Sequence, residues 1–91
     1  MAHGSIGAMV TLTRKSAAAS IDKDLGAKLK AFRLAAGLTQ SELGELLDIS
    51  HTQVMKYELG KNRLAVSTLI QFCGVLKLDL SAFLGDYLAR R

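Results

Sequence analysis

Residues 39–60 read TQSELGELLDISHTQVMKYELG, and the punctuation of this stretch decides the fold. Thr39 stands where a helix N-cap is wanted, with Glu42 three residues on at the capping-box spacing. Leu43, Leu46 and Leu47 follow as one apolar stripe at helical period. Asp48-Ile49-Ser50 interrupts that stripe. Ser50 opens a second helix, with Gln53 in the reciprocal capping position. Val54 and Tyr57 point inward at i, i+3, and Gly60 suits the left-handed residue that closes a helix. Gly44 has a steric reason. Two helices crossing steeply over a short connection come close, so a residue with little or no side chain is wanted, and glycine meets that need at a propensity cost of about 1 kcal/mol. The stretch is two short helices joined by a tight turn.

The rest of the composition agrees with a helical domain. The chain has 91 residues, enough for one domain with a small core. Proline is absent and only five residues are aromatic (two Tyr, three Phe). The formal net charge is +4, which fits a polyanionic partner. No apolar run approaches the roughly 20 residues of a membrane span, and no charged start leads into a secretory-type apolar stretch. A single cysteine forms no internal disulfide, so a reducing cytoplasm is the expected location.

Upstream, residues 1–20 are rich in Gly, Ala, Ser and Thr and poor in helical pattern. They are expected as a flexible tail. MAHGS is compatible with a vector-derived leader, which would make Met9 the natural start. Residues 6–12 carry some strand propensity, and Arg14 and Lys15 follow. Two sharper readings are a basic arm along a polyanion and a strand exchanged with a second subunit. A first helix is expected over residues 22–36, with Asp22 and Asp24 in its first turn, where negative charge favours the helix dipole. Leu25, Leu29, Phe32 and Ala36 make its core face, Gly26 is a mild liability, and Gly37 ends it.

Downstream, residues 61–66 form a linker carrying Lys61 and Arg63. A fourth helix over residues 66–76 would bury Leu69, Ile70, Cys73 and Leu76. Asp79 would cap a fifth helix over residues 80–89. That helix is unusually apolar, with Leu80, Leu84 and Leu88 in one row and Phe83 and Tyr87 in another. Both rows exceed what so small a domain buries alone, which argues for a homodimer seam. Arg90 and Arg91 suit its C-terminal end.

With the helices placed, Arg33, GLTQSELGELLDIS (37–50), VMKYELGK (54–61) and LIQFCGVLKLDLSAFL (69–84) give the chain its resemblance. It resembles the Cro/cI-like, or XRE, family of phage-repressor helix-turn-helix proteins over roughly residues 25–84. The resemblance implies an all-α, five-helix bundle of the lambda-repressor-like type, spanning residues 21–91 behind the tail. It implies homodimers on palindromic operators, with the third helix in the major groove of double-stranded DNA. Three positions depart from the family pattern. Asp48 stands where Gly is usual, and Asp tolerates left-handed backbone. Gly44 stands where Ala is usual. Ala65 and Val66 stand where Pro or Ser is usual, with Ser67 as a substitute cap.

The chemistry then divides among named residues. His51, Thr52, Gln53 and Lys56 lie on outward faces of the third helix. Lys suits guanine O6 and N7, Gln suits adenine N6 and N7, and Thr suits a hydroxyl contact or a thymine methyl. By resemblance, base contacts fall on His51, Thr52 and Lys56, with Gln53 a further candidate. The resemblance also implies that Gln40, with Thr39 beside it, clamps a phosphate and braces the reading helix, at a helix N-terminus that suits an anion, and Lys61, Asn62 and Arg63 are phosphate candidates. The resemblance also puts Arg33 against Glu58 as a two-pronged brace. Leu80, Phe83, Leu84, Tyr87 and Leu88 are the expected dimer interface. No catalytic constellation, metal site, cofactor or small-molecule pocket is legible, and Cys73 reads as core. Two rivals keep the fold. One is an antitoxin with an added toxin-binding segment, and the other is a helix-turn-helix used only to bind protein.

Overall fold

The structure is a computed structural model that describes residues 3–88, with side chains from residue 17 onward. Five α-helices follow in order: α1 (His3–Ala35), α2 (Gln40–Leu47), α3 (His51–Glu58), α4 (Val66–Leu76) and α5 (Ser81–Leu88). The described residues contain no strand. The fold is all-α, as expected.

The largest departure from expectation is α1, which is helical from His3 rather than from residue 22. The stretch 3–20, including the strand-prone residues 6–12, lies in this helix. Two physical facts account for it. No glycine or proline interrupts residues 8–25. A helix nucleated by packing further along propagates through alanines at little cost. Asp22 and Asp24 consequently sit in the middle of α1 and have no first-turn role. The side chains of Arg14 and Lys15 lie outside the described residues, as do Arg90 and Arg91.

The core takes Leu25 and Leu29 from α1, Leu43 from α2, Val54 from α3, Leu69, Phe72 and Cys73 from α4, and Phe83 from α5. Burying an aliphatic or phenyl side chain of this size contributes about 1.5–3 kcal/mol. Two apolar stripes differ from expectation. Leu46 is 57% exposed and Ile70 is 53% exposed. In α4 the inward row is Leu69, Phe72, Cys73 and Leu76, and Ile70 lies on the other flank. Both flanks are apolar in sequence. The Tyr57 ring chooses between them by packing edge-on against Phe72, with centroids 5.9 Å apart.

Helix ends follow turn chemistry. Gly37 (φ 74°) and Gly60 (φ 72°) adopt left-handed backbone after α1 and α3. Past α3 the Gly60 amide donates to the Tyr57 carbonyl and the Lys61 amide to the Lys56 carbonyl, a Schellman closure. Ala65 caps α4 without a side-chain hydrogen bond, so Ser67 does not substitute as cap. α5 starts one residue later than expected, and Asp79 contributes its carbonyl, which accepts from the Ala82 amide.

Gly26 is the position that sequence reading undervalued. A Cβ there would lie 2.6 Å from the Glu58 carbonyl oxygen and closer still to that of Tyr57. Glycine therefore lets α1 rest on the C-terminal carbonyls of α3. The propensity loss is the cost of that approach.

α5 is tied to α1 by a polar cluster. Tyr87 Oη donates to Asp24 Oδ2 at 2.7 Å. Lys28 Nζ reaches Asp24 at 3.1 Å, Asp86 at 3.3 Å and the Phe83 carbonyl at 3.0 Å. The same ammonium sits 5.4 Å from the Tyr87 ring centroid. Tyr87 donation, aided by Lys28, holds the Asp24 carboxyl below its ordinary value, and the same bond raises the Tyr87 hydroxyl. Burial pushes the Lys28 ammonium down, but Asp24 and Asp86 outweigh it and leave Lys28 raised.

Two predictions follow from this packing. Gly26→Ala should lose about 1–3 kcal/mol of unfolding free energy in urea, because backbone must move. Gly74→Ala, where a Cβ meets nothing within 4 Å, should be neutral or gain up to about 1 kcal/mol. The second concerns pH. The folded Asp24 value lies below 3.8, so its contribution is present above the unfolded value and lost as pH falls through the folded one. Acid titration followed by Tyr87 fluorescence should show α5 loosening below about pH 4, and Asp24→Asn should flatten that portion of the curve.

Candidate nucleic-acid interface

A guanidinium holds the two-helix unit in place. Arg33 and Glu58 are buried charges, 6% and 7% exposed. A charge this enclosed is tolerated only when paired and hydrogen-bonded. Arg33 Nε donates to Glu58 Oε2 at 2.6 Å and Nη2 to Oε1 at 3.1 Å, a two-pronged pair. Nη1 donates to the Leu38 carbonyl at 2.8 Å. Gln40 Nε2 donates to Glu58 Oε1 at 3.0 Å. One carboxylate thus binds α1, α2 and α3, and one guanidinium adds the connection between α1 and α2. Among the described residues, no buried side-chain nitrogen or oxygen lacks a hydrogen-bond partner.

The turn between α2 and α3 is equally determined. Asp48 is left-handed at φ 58°, ψ 44°, and its amide donates to the Glu45 and Gly44 carbonyls. A Cβ on Gly44 would meet the Ile49 carbonyl at 2.5 Å, which forces a glycine on this turn of α2. Thr39 and Glu42 form the full capping box, with Glu42 N to Thr39 Oγ1 at 3.0 Å and Thr39 N to Glu42 Oε1 at 2.8 Å. At α3, Ser50 Oγ accepts from the Gln53 amide at 3.1 Å. That is one half of the reciprocal box. The Gln53 side chain is half-buried on the flank of the helix.

With Val54 and Glu58 turned inward, the outer arc of α3 presents His51, Thr52 and Lys56, all exposed. Met55 lies on the same arc, exposed, one turn beyond His51, and Leu59 follows it. Sequence reading passed over both. The helical spacing of Met55 from His51 was the available signal. Beyond α3, Lys61, Asn62 and Arg63 are exposed on the connection to α4. Arg63 Nε lies 3.4 Å from Asp22 Oδ2. Gln40, expected both on a phosphate and as a brace of the reading helix, spends one amide donor on Glu58 and so is part of the brace.

The expected dimer residues separate. Phe83 is fully enclosed in the chain's own core, edge-on to Phe32 with centroids 5.1 Å apart, so it has no surface to offer a second copy. Leu84 and Tyr87 are half-buried against the same core. Leu80 and Leu88 remain exposed. The apolar content of α5 therefore serves mainly the intramolecular core. Cys73 is buried in the core, and burial, followed by nearby Asp79, pushes its thiol up.

Comparison with known proteins places this geometry in context. The family described as "Helix-turn-helix domain" matches residues 24–82. An uncharacterised HTH-type transcriptional regulator of Rickettsia conorii is 36% identical over 63 residues, which span 69% of this chain and 50% of the relative. One of Sinorhizobium medicae is 36% identical over 66 residues, 72% of this chain and 48% of the relative. The chain thus spans about half the length of these relatives. Among solved structures, the clp gene regulator ClgR from Corynebacterium glutamicum superimposes with a TM-score of 0.69 at 26% identity, covering 76% of this chain and 90% of that one.

Removing one partner of the brace leaves the other buried and unpaired. Glu58→Ala should therefore cost about 3–5 kcal/mol by thermal or urea unfolding. DNA affinity should fall with it. An unchanged melting temperature with collapsed affinity would show that Glu58 acts on DNA directly and that the brace is misassigned.

Proposed function

The chain belongs to the helix-turn-helix domain family, and on that premise we propose that it is a sequence-specific, double-stranded DNA-binding transcriptional regulator of the repressor type. The observation that carries the reading is the combination on α3 of a buried, multiply bonded inner face and an exposed outer face of His51, Thr52 and Lys56. A helix held by two neighbouring helices can be inserted into a groove without losing its orientation. An outer face free of internal partners can give its hydrogen bonds to bases.

Each subunit would lay α3 in a major groove. Lys56 would approach guanine O6 and N7, and Thr52 a thymine methyl or a base-edge acceptor. His51 would contact the first base step, with Gln53 and Met55 at the edges of the footprint. The first-turn amides of α2, framed by Thr39 and Gln40, would receive one phosphate. Lys61, Asn62 and Arg63 would receive the next. These phosphate contacts would supply salt-dependent affinity, and α3 the choice of sequence.

The working unit is a homodimer on a palindromic operator, with the two α3 helices about 34 Å apart, one turn of B-DNA. The apolar residues still exposed on α4, on α5 and just before α5, namely Val66, Ile70, Leu80 and Leu88, would supply the surface for that association. The protein acts in the cytoplasm. With no small-molecule site in the reading, control would come from protein level, a protein partner or competition for DNA.

A Thr52→Ala, Lys56→Ala double variant separates this reading from a purely protein-binding one. Thr52 and Lys56 are exposed, so folding should be unchanged within about 0.5 kcal/mol. Operator affinity should drop by about 2–6 kcal/mol, taking each of the two base contacts at the usual 1–3 kcal/mol of discrimination. The dimer should persist in sedimentation. Unaltered binding to any DNA would favour the protein-only role.

A further inference from the structure

The long α1 brings one carboxylate into the basic edge of the proposed interface. Gly60 presses against the backbone of Lys23, where a Cβ would lie 2.7 Å from the Lys23 Cα. The connection after α3 is thereby seated on α1 at residues 22–23. Lys23, Lys61 and Arg63 are exposed there, and Asp22 reaches Arg63 with Oδ2 at 3.4 Å from Nε. The Asp22 side chain is 18% exposed and that of Arg63 is 74% exposed. The carboxylate is sheltered while most of the guanidinium faces water.

This pair has no structural task that the surrounding contacts leave undone. The connection is already closed by the Gly60 and Lys61 amide bonds. An ion pair with so exposed a partner adds little to stability. Asp22 lies mid-helix, remote from the positive end of the α1 dipole. Its remaining effect is electrostatic. It removes about one unit of charge from an edge of three cations and holds Arg63 in the unbound protein.

We propose that Asp22 is a brake on DNA binding, which acts by holding Arg63 in an ion pair that must be exchanged for one with a backbone phosphate. The proposal rests on the DNA-binding reading above and deepens it. The exchange moves no proton and breaks no covalent bond. Arg63 leaves one anion for another, and Asp22 is left beside the phosphates. Because phosphate contacts carry no sequence information, the brake lowers affinity for every duplex by the same factor. It shortens residence without altering preference.

The experiment is a double-variant cycle of Asp22→Asn and Arg63→Ala, read by fluorescence anisotropy with a labelled random-sequence duplex at low and physiological salt. Asp22→Asn should tighten binding about two- to fivefold, the range of an exposed ion pair. It should also steepen the dependence of affinity on salt. In the Arg63→Ala background the same substitution should change affinity little. An equal gain in both backgrounds would show that Asp22 acts as a diffuse charge and would overturn the exchange with Arg63. No gain in either background would overturn the brake altogether. If the parent chain fails to bind any duplex at low salt, the DNA-binding reading itself falls, a result distinct from the other two. Matching melting temperatures for parent and Asp22→Asn confirm that affinity, not folding, is being read.

Discussion

The Glu58 carboxylate is the point through which the domain is assembled. It is 7% exposed, and it accepts from two nitrogens of Arg33 and from Gln40. A carboxylate this enclosed cannot be left unpaired, because desolvation costs several kcal/mol per ion and only a close ion pair with further hydrogen bonds offsets it. The constraint therefore acts on three helices together. α1 must bring Arg33, α2 must bring Gln40, and α3 must present Glu58, all within hydrogen-bond reach. Apolar burial supplies most of the stability, but it tolerates sliding. Directional bonds to one carboxylate do not, and they set the angle at which the outer face of α3 stands away from the body.

Close backbone approaches complete that constraint. Gly26 lets α1 rest on the last carbonyls of α3, and Gly44 lets α2 rest on the turn before α3. α3 is thus clasped at its C-terminal end by α1 and at its N-terminal end by α2. The polar cluster of Asp24, Lys28, Asp86 and Tyr87 plays a separate part, fastening α5 over α1 on the other side of the core.

Much of this was legible in the residues. The capping box at Thr39, the left-handed Asp48 and the closing Gly60 are local features, decided within a few residues of chain, and they appear where expected. The Arg33–Glu58 brace was accessible only through family resemblance, since 25 residues separate the partners and no local pattern links them. Tertiary choices were not legible. Gly26 reads as a weak helix residue until α3 is laid against it. Ile70 and Phe72 are equivalent flanks of α4 until the Tyr57 ring selects one. That Phe83, in one of the apolar rows of α5, belongs to the chain's own core shows only when its ring is found edge-on to Phe32. The start of α1 was missed because aspartates in the middle of a helix look like aspartates at its beginning. Their purpose here is tertiary, Asp22 facing Arg63 and Asp24 facing Lys28 and Tyr87.

If α3 is held rigidly so that its outer face can read bases, the purified chain should select a sequence unaided. In vitro selection from a random duplex library tests this most directly. A twofold-symmetric motif, its half-sites centred about 10 bp apart, should be enriched. A recovered pool with the base composition of the starting library, bound only through salt-sensitive contacts, would contradict it.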